Sequence, residues 1–532
     1  MDGVSQVHTT ALTKHLDLND PTNATFTTAI ASGNDDFSQT SSLISDIATY
    51  SPLNSARGIQ SELLTAQCRL PAKDPWNKEI LPYLNPLDPG PVAKCKLKFE
   101  EVTQFDYAQG LDGVQHLSIR DKFVTNVKRC DYRCLTPVSD HKFKTGKWTQ
   151  LKDPVQPRCD VFEGRNEDQL KDPSQPPLQA NNSGFGVQII VLDSVSRSQF
   201  HRAMQKTVYL LREEMNAISF DYLNKVGENS KPNGCAFLMG RQVRTIPRSP
   251  INSKAEPADK GQAGYKTMMA EDWAAGVFNW PNCKGFTTTP MDHYMKRYFW
   301  PFQLRLTQKA GKGKEFVYEN FNGKRCLEAH SHLLDYFRQF VEVYDDVSKK
   351  FSVIWMSDLA HNHPNHLYHA DHFFYQLFRG LQSKLDNTFL FVMGDHGNRF
   401  GKLRATATGT MEDNNPALFV VLPRQLRHNS ALRAVLESNA KQLISHYDLY
   451  ATLVEISQMQ RDWDENYRPK QEGQHGLSLL HKLQPRNCPS LKIPFDYCQC
   501  EWNYTEITSD QLADKLVWAA VDKLNQDLPM QI

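Results

Sequence analysis

The sequence predicts an α/β fold with a central, mostly parallel sheet. Two observations carry this: apolar runs too continuous for a sheet with one wet face, and helical-period stretches between them. The segments "VQIIVL" (187–192), "FSVIWM" (351–356), "TFLFVM" (388–393) and "ALFVVL" (417–422) are nearly unbroken apolar runs. Such runs suit strands covered on both faces, whereas a half-exposed strand would alternate. After the first run, Phe200, Met204, Val208 and Leu211 recur at helical spacing, and "AISF" then gives a short strand. Helices are expected near 328–348, 368–384 and 445–458. Parallel neighbours need long crossovers, and these helices supply them. The stretch from about 235 to 325 reads as an insertion that shapes a pocket, with "RYFWPFQ" as its aromatic patch.

Around this core, residues 1–60 are rich in Ser, Thr, Asn and Asp and read as a poorly ordered lead-in. Residues 61–180 form an N-terminal Cys-containing segment, with strand-like "CKLKFEEV" and "HLSIRDKFV", and a Pro-rich arm. The α/β domain spans 181–485, and 486–532 is a C-terminal Cys-containing segment. The formal net charge is +1 with no basic block, which argues against a nucleic-acid partner. No apolar run is long enough for a transmembrane helix, and "MDGVSQVHTTALTKHLDLND" has no apolar core of a signal peptide. Eleven cysteines lie mostly in polar, Pro-rich segments, as loop-stapling disulfides of an oxidising compartment would. The sequons at Asn23, Asn181 and Asn503 agree with an extracellular or secretory location. Such a location needs a leader outside this sequence or another export signal. The cysteine spacing does not fit a zinc site.

Parallel sheets bind ligands beyond the carboxyl ends of their strands. Asp193 follows "VQIIVL"; Asp358, His361 and His363 follow "FSVIWM"; Asp395 and His396 follow "TFLFVM" within "GDHG". One acid at a strand tip is ordinarily a helix N-cap, and one loop histidine is ordinarily structural. A set of such tips at one sheet edge instead makes a plausible divalent-metal site of carboxylate and imidazole donors. Between the first two of these runs lies "NKVGENSKPNG" (224–234), with Asn229 and Ser230 at a turn expected to open a helix. A hydroxyl there profits from backbone N–H groups that also suit phosphate or sulfate.

The order Asp193, Ser230, Asp395–His396 resembles that of the alkaline phosphatase/sulfatase superfamily. The blocks "LDSVSRSQFHRAM", "NKVGENSKPN", "WMSDLAHNH", "MGDHGNRFGKLRATATGTMEDNNP" and "HGLSLL" resemble the animal family numbered 229 among domains of unknown function. "CRLPAKDPW" and "CPSLKIPFDYCQC" are similar to that family's cysteine-bearing ends, so the resemblance covers roughly 65–505. It implies a three-layer domain in which Asp193, Ser230, Asp395 and His396 hold a divalent metal, zinc first, with manganese or calcium as alternatives. It makes Ser230 the attacking group, where the family commonly has Thr within a pattern like D-N-T-F-P-N; Glu228 stands at that pattern's Asp. A second metal would draw on Asp358 and a distant histidine, His446 or His475, but Asn362 occupies the position where a ligand histidine is usual. His361 instead serves the transferred group, with Asn229 and Arg399 on the substrate and Lys231 as a further cation. Gly234 replaces the Arg of the sulfatase C/S-x-P-x-R motif, which argues for a plain alkoxide over formylglycine.

The function these residues imply is a metal-dependent hydrolase or transferase of phosphate esters, with sulfate esters second. Its substrate would be a small molecule or a glycan- or lipid-linked ester. The competing reading is an extracellular binding domain of the same fold with weak or no catalysis. A serine hydrolase of the α/β-hydrolase type is a poor third reading, because the chain has no G-x-S-x-G motif.

Overall fold

The computed structural model describes residues 68–87, 90, 103–107, 115–125, 129–132, 135–139, 142–147, 149–152, 184–242, 265–273, 276–279, 286, 290–295, 328–345, 349–459, 462–467, 475–501 and 510–527. The lead-in, "CKLKFEEV", most of the Pro-rich arm, "RYFWPFQ" and the sequons lie outside the described residues.

The apolar runs become strands. In chain order the elements of the core are β1 (Gly186–Leu192), α1 (Arg197–Ala203), α2 (Gln205–Tyr209), β2 (Ile218–Ser219), β3 (Leu223–Asn224), α3 (Ser230–Met239), β4 (Lys266–Glu271) and β5 (His293–Tyr294). They continue with α4 (Ala329–Val343), β6 (Lys350–Met356), α5 (Leu367–Leu381), β7 (Thr388–Gly394), α6 (Ala407–Asn414) and β8 (Leu418–Val421). The last are α7 (Ser430–Asn439), β9 (Ile444–Ser445) and α8 (His446–Gln458). The main sheet runs β5-β4-β6-β1-β7-β8-β2. It is parallel from β5 through β7, while β8 pairs antiparallel with both β7 and β2.

Alternate residues of the central strands enter two different cores, as the period of a strand requires. Ile190, Leu192, Ile354, Met356, Leu390 and Val392 pack with Phe200, Leu211, Phe337 and Phe374 on one face. Ile189, Val191, Val353, Trp355, Phe391 and Met393 pack with Phe237, Leu436, Leu449 and Ile456 on the other. Helices therefore cover both faces, and the domain has three layers. Each such side chain contributes about 1.5–3 kcal/mol by leaving water.

The predicted insertion is corrected in one respect. Its residues 266–271 are a sheet strand, with Met268–Glu271 buried next to β6. Among the described residues, Cys68 is bonded to Cys500 and Cys488 to Cys498. They join both Cys-bearing ends in a third cluster with Val226, Ala236 and Tyr447, behind the helix that Ser230 opens. No described helix is long and apolar enough to cross a membrane.

His330 on α4 is buried and stacked on Phe374, and burial pushes its imidazole down to about 4. A depressed imidazole leaves stability intact above the ordinary value of 6.5 and removes it as pH falls toward the folded value. His330→Gln should flatten the acid limb of the unfolding curve in that window, by up to about 1.4 kcal/mol per pH unit. Denaturant titrations of both proteins across the window check this, and superimposable acid limbs would contradict it.

Candidate functional site

Strand register builds the site. Leu192 pairs with Met356 on one side and with Gly394 on the other. The next residues, Asp193, Ser357 and Asp395, therefore stand side by side at the carboxyl edge of three adjacent strands. Glu271 pairs with Trp355, so Asp272 stands level with Met356, one residue short of that row, and its carboxylate reaches the backbone N–H of Ser357.

Asp193 is buried and accepts from Ser194 Oγ at 2.9 Å, Ser357 Oγ at 2.9 Å and Ser230 Oγ at 3.2 Å. Asp395 Oδ1 accepts the backbone N–H groups of Ser194 at 3.1 Å and His396 at 2.9 Å. Ser194 meets this contact with a left-handed backbone, φ 65°. His396 Nδ1 lies 2.8 Å from the Gly397 carbonyl. A carbonyl only accepts, so the proton is on Nδ1 and Nε2 carries a lone pair. That lone pair faces Asp395 Oδ2 at 3.4 Å, Ser230 Oγ at 3.4 Å and Asp193 Oδ1 at 3.7 Å.

This is an electron-rich cluster with little to balance it. Asp395 Oδ2 is buried without a hydrogen bond of good geometry, although the Ser230 hydroxyl lies near enough to favour its charged form. Burial and then the Asp395 charge push the Asp193 carboxyl up; burial pushes Asp395 up as well, and His396 down to about 4. Donor atoms of Asp193, Asp395 and His396 lie within 4.8 Å of one another, close enough for one cation to touch all three. Oxygen and imidazole donors of this kind fit zinc or manganese. The other group of metal-type donors among the described residues, Cys488, Cys498 and Cys500, is already committed to disulfides.

Ser230 is the first residue of α3, and Asn229 is its N-cap residue. The Asn229 side chain makes no cap bond, and its Oδ1 is buried without a partner. Asn233 holds the loop by accepting from Val226 N at 2.8 Å and donating to Asn229 O at 2.9 Å. Gly234 shows why a sulfatase-type Arg is absent here. A Cβ on it would lie 3.0 Å from the Trp355 ring and 3.4 Å from Phe278.

His361 and Arg399 meet each other, with Arg399 Nη2 3.3 Å from His361 Nε2. Arg399 Nε is buried without a hydrogen-bond partner. His446 opens α8 and is fully buried, with the backbone carbonyls of Asn224 and Gly394 nearby but no hydrogen bond of good geometry on either ring nitrogen. Burial holds it down to about 3, against the pull of those carbonyls. His475 is exposed and packs its ring on Tyr447. Asp358 is half-buried, and Asp358 and His446 stand outside the close Asp193–Asp395–His396 group.

Sequence reasoning missed Ser357 and Asp272. Asp272 accepts from Ser357 N at 2.7 Å and Asp358 N at 3.2 Å, and burial followed by the Asp358 charge pushes it well up. Its signal was the short apolar piece before it in "KTMMAED".

The glycines of "GDHG" serve the backbone more than a metal. A Cβ on Gly394 would lie 2.1 Å from Val195 O, and one on Gly397 would lie 2.2 Å from Glu412 O. The turn that approaches Gly397 is pinned. Glu412 is clamped by Arg202 at 2.6 Å and Ser196 at 2.9 Å, and Asp413 by Lys225 at 2.7 Å and Arg404 at 2.8 Å. Gly397→Ala should therefore cost about 3 kcal/mol or more, the upper range for overpacking. Chemical denaturation measures it, and a midpoint equal to wild type would contradict the close approach.

The family model described as "Protein of unknown function (DUF229)" matches residues 115–531. No curated protein matches the chain. Among solved structures, the chain is similar to Ps i-CgsB, at 14% identity over 53% of this chain and 73% of that one, with a TM-score of 0.33. It is also similar to the C-terminal periplasmic domain of EcEptC from Escherichia coli in complex with Zn, at 12% identity over 54% and 86%, TM-score 0.33. A protein in the alkaline phosphatase superfamily from Vibrio parahaemolyticus is similar at 13% identity over 55% and 72%, TM-score 0.34.

Proposed function

We propose that this chain, which belongs to the DUF229 family of proteins of unknown function, is a metal-dependent hydrolase or transferase of phosphate esters. The observation that carries the reading is the buried Asp395 Oδ2, which lacks a hydrogen bond of good geometry, beside Asp193 and the lone pair of His396, with the Ser230 hydroxyl on the same centre. Two carboxylates and a lone pair do not share a dry pocket without a compensating cation.

Asp193, Ser230, Asp395 and His396 would hold the ion; Asp358 and His446 would serve only a second one. A bound divalent ion supplies the charge that lowers the Ser230 pKa and draws electrons from a non-bridging phosphoryl oxygen. The remaining work belongs to the chain. Asp193 Oδ2 accepts from Ser230 Oγ at 3.2 Å and fixes its direction. Ser230 Oγ, giving up its proton along its hydrogen bond to Asp193 Oδ2, would form the bond to phosphorus as the bond to the alcohol oxygen breaks; the departing alkoxide takes up a proton to leave as the alcohol, and a phosphoserine remains. Water or a second alcohol then takes the phosphoryl group and returns the serine. The first turn of α3, where Ser230 and Lys231 precede Pro232, would offer backbone N–H groups to the anionic group. Arg399, whose Nε has no hydrogen-bond partner, and His361, 3.3 Å from Arg399 Nη2, would contact the group as well. Plain serine chemistry fits the crowding at Gly234, where a side chain would press on the Trp355 and Phe278 rings. The disulfides suit an oxidising, extracellular-type compartment.

The test is elemental analysis of the purified chain alongside a panel of phosphomonoesters, phosphodiesters and sulfate esters. A bound divalent ion and turnover of phosphate esters are expected. A chain that binds no ion, and is inert on the whole panel after ions are added, would be the binding domain instead.

A further inference from the structure

Helices α2 and α5 pack against each other in one helical layer and leave an open hollow of about 470 Å³ between them. It is lined by Gln205, Lys206 and Tyr209 of α2 and by His372 and Tyr375 of α5. Gln205 and Tyr209 are four residues apart, and His372 and Tyr375 three apart, so each pair shares one side of its helix. The two walls are fixed to one another. The buried Asp371 carboxylate accepts from Lys206 N at 2.9 Å, Thr207 N at 2.9 Å and Thr207 Oγ1 at 2.8 Å, which ties the first turn of α2 to α5. Tyr375 packs against the core behind it, and its hydroxyl oxygen accepts from Arg379 Nη1 at 2.6 Å. Walls held in this way lose little freedom when a ligand enters.

The lining groups are accessible. Gln205, Lys206 and His372 are exposed, Tyr375 is half-buried, and Tyr209 is 60% exposed. Among the described residues, the Lys206 ammonium, the Tyr209 hydroxyl and the His372 ring have no hydrogen-bond or ion-pair partner. No carboxylate lines the hollow, so the charge of Lys206 is not neutralised there. The volume falls in the range of about 300–1,000 Å³ usual for small-ligand sites. An acyl chain wants a continuous apolar wall, and the amide, ammonium and imidazole interrupt one. A sugar ring offers apolar C–H faces to phenol rings and hydroxyls to the polar groups beside them. An ammonium without an acid nearby favours a sugar that bears a negative charge.

We propose that this hollow binds an acidic sugar unit, carboxylated or sulfated. It shares no residue with the Ser230 centre, so it is a second site and stands independently of the phosphate-ester reading.

Titration of the full chain, followed by ligand-observed NMR, tests it with methyl glucuronide, sulfated methyl glucoside, neutral methyl glucoside and inorganic sulfate. At least one of the acidic sugars should bind roughly tenfold tighter than methyl glucoside. Lys206→Ala should shrink that advantage to within about twofold, and Tyr209→Ala should weaken the acidic sugar roughly tenfold. Both side chains are exposed, so neither variant should shift the unfolding curve. Affinity for the acidic sugar that is unchanged in both variants overturns the site. Equal affinity for acidic and neutral sugars overturns the charge assignment. Inorganic sulfate binding as tightly as the acidic sugars reduces the hollow to an anion contact and overturns the sugar assignment. A wild-type chain that binds none of the sugars overturns the whole inference.

Discussion

Ser230→Ala abolishes turnover, by a factor on the order of 10⁴ to 10⁶, and leaves both the fold and the bound ion in place. The expectation combines two facts. Ser230 Oγ reaches both Asp193 and the lone pair of His396, at 3.2 and 3.4 Å, and it is the hydroxyl that opens α3. Its loss is also cheap for the fold. Asp193 keeps the hydrogen bonds of Ser194 and Ser357, each at 2.9 Å, and alanine is a better helix former than serine at the start of α3. Steady-state rates on a phosphate ester, measured with elemental analysis of the same sample, separate the roles. An active Ser230→Ala protein would remove the nucleophile assignment; an inactive one that has also lost its ion would make Ser230 chiefly a ligand.

The parts of this site that the sequence revealed are those set by continuous strands. "VQIIVL", "FSVIWM" and "TFLFVM" are buried on both faces, so their ends could be read and the acids after them placed on one edge. The register that aligns Asp193, Ser357 and Asp395 is a property of pairing between strands over 150 residues apart, and no single segment encodes it. Strand β4 was missed because four of its six residues are buried within a long stretch of turn-like composition, and Asp272 went with it. The antiparallel β8 has the same apolar character as its parallel neighbours, so its direction was not legible. The glycines of "GDHG" illustrate a different limit. Their presence was readable, but the carbonyls they make room for belong to Val195 and Glu412, which only the folded chain brings near.

The second large effect concerns stability and reverses sign with the ion. A ligand that binds only the folded state adds about 4 kcal/mol at a thousandfold excess over its Kd, so chelation should lower the unfolding temperature by several degrees. The ion-free protein then holds Asp193 and Asp395 buried together, both pushed up, Asp193 by burial first and by Asp395 second. A carboxyl whose folded value is raised is at its most stabilising below the ordinary value of 3.8, and stability is lost as pH rises through the folded value. Asp395→Asn removes one of the two charges. It should abolish ion binding and with it the ion-dependent gain, yet make the chelated protein more stable than chelated wild type, by a margin that widens as pH rises. Thermal unfolding of both proteins from about pH 5 to about pH 8, with chelator and with ion, gives the four curves needed. Wild type and Asp395→Asn running parallel in chelator would mean that the two carboxyls do not oppose each other. The cation would then have to be sought elsewhere, since their crowding is what calls for one.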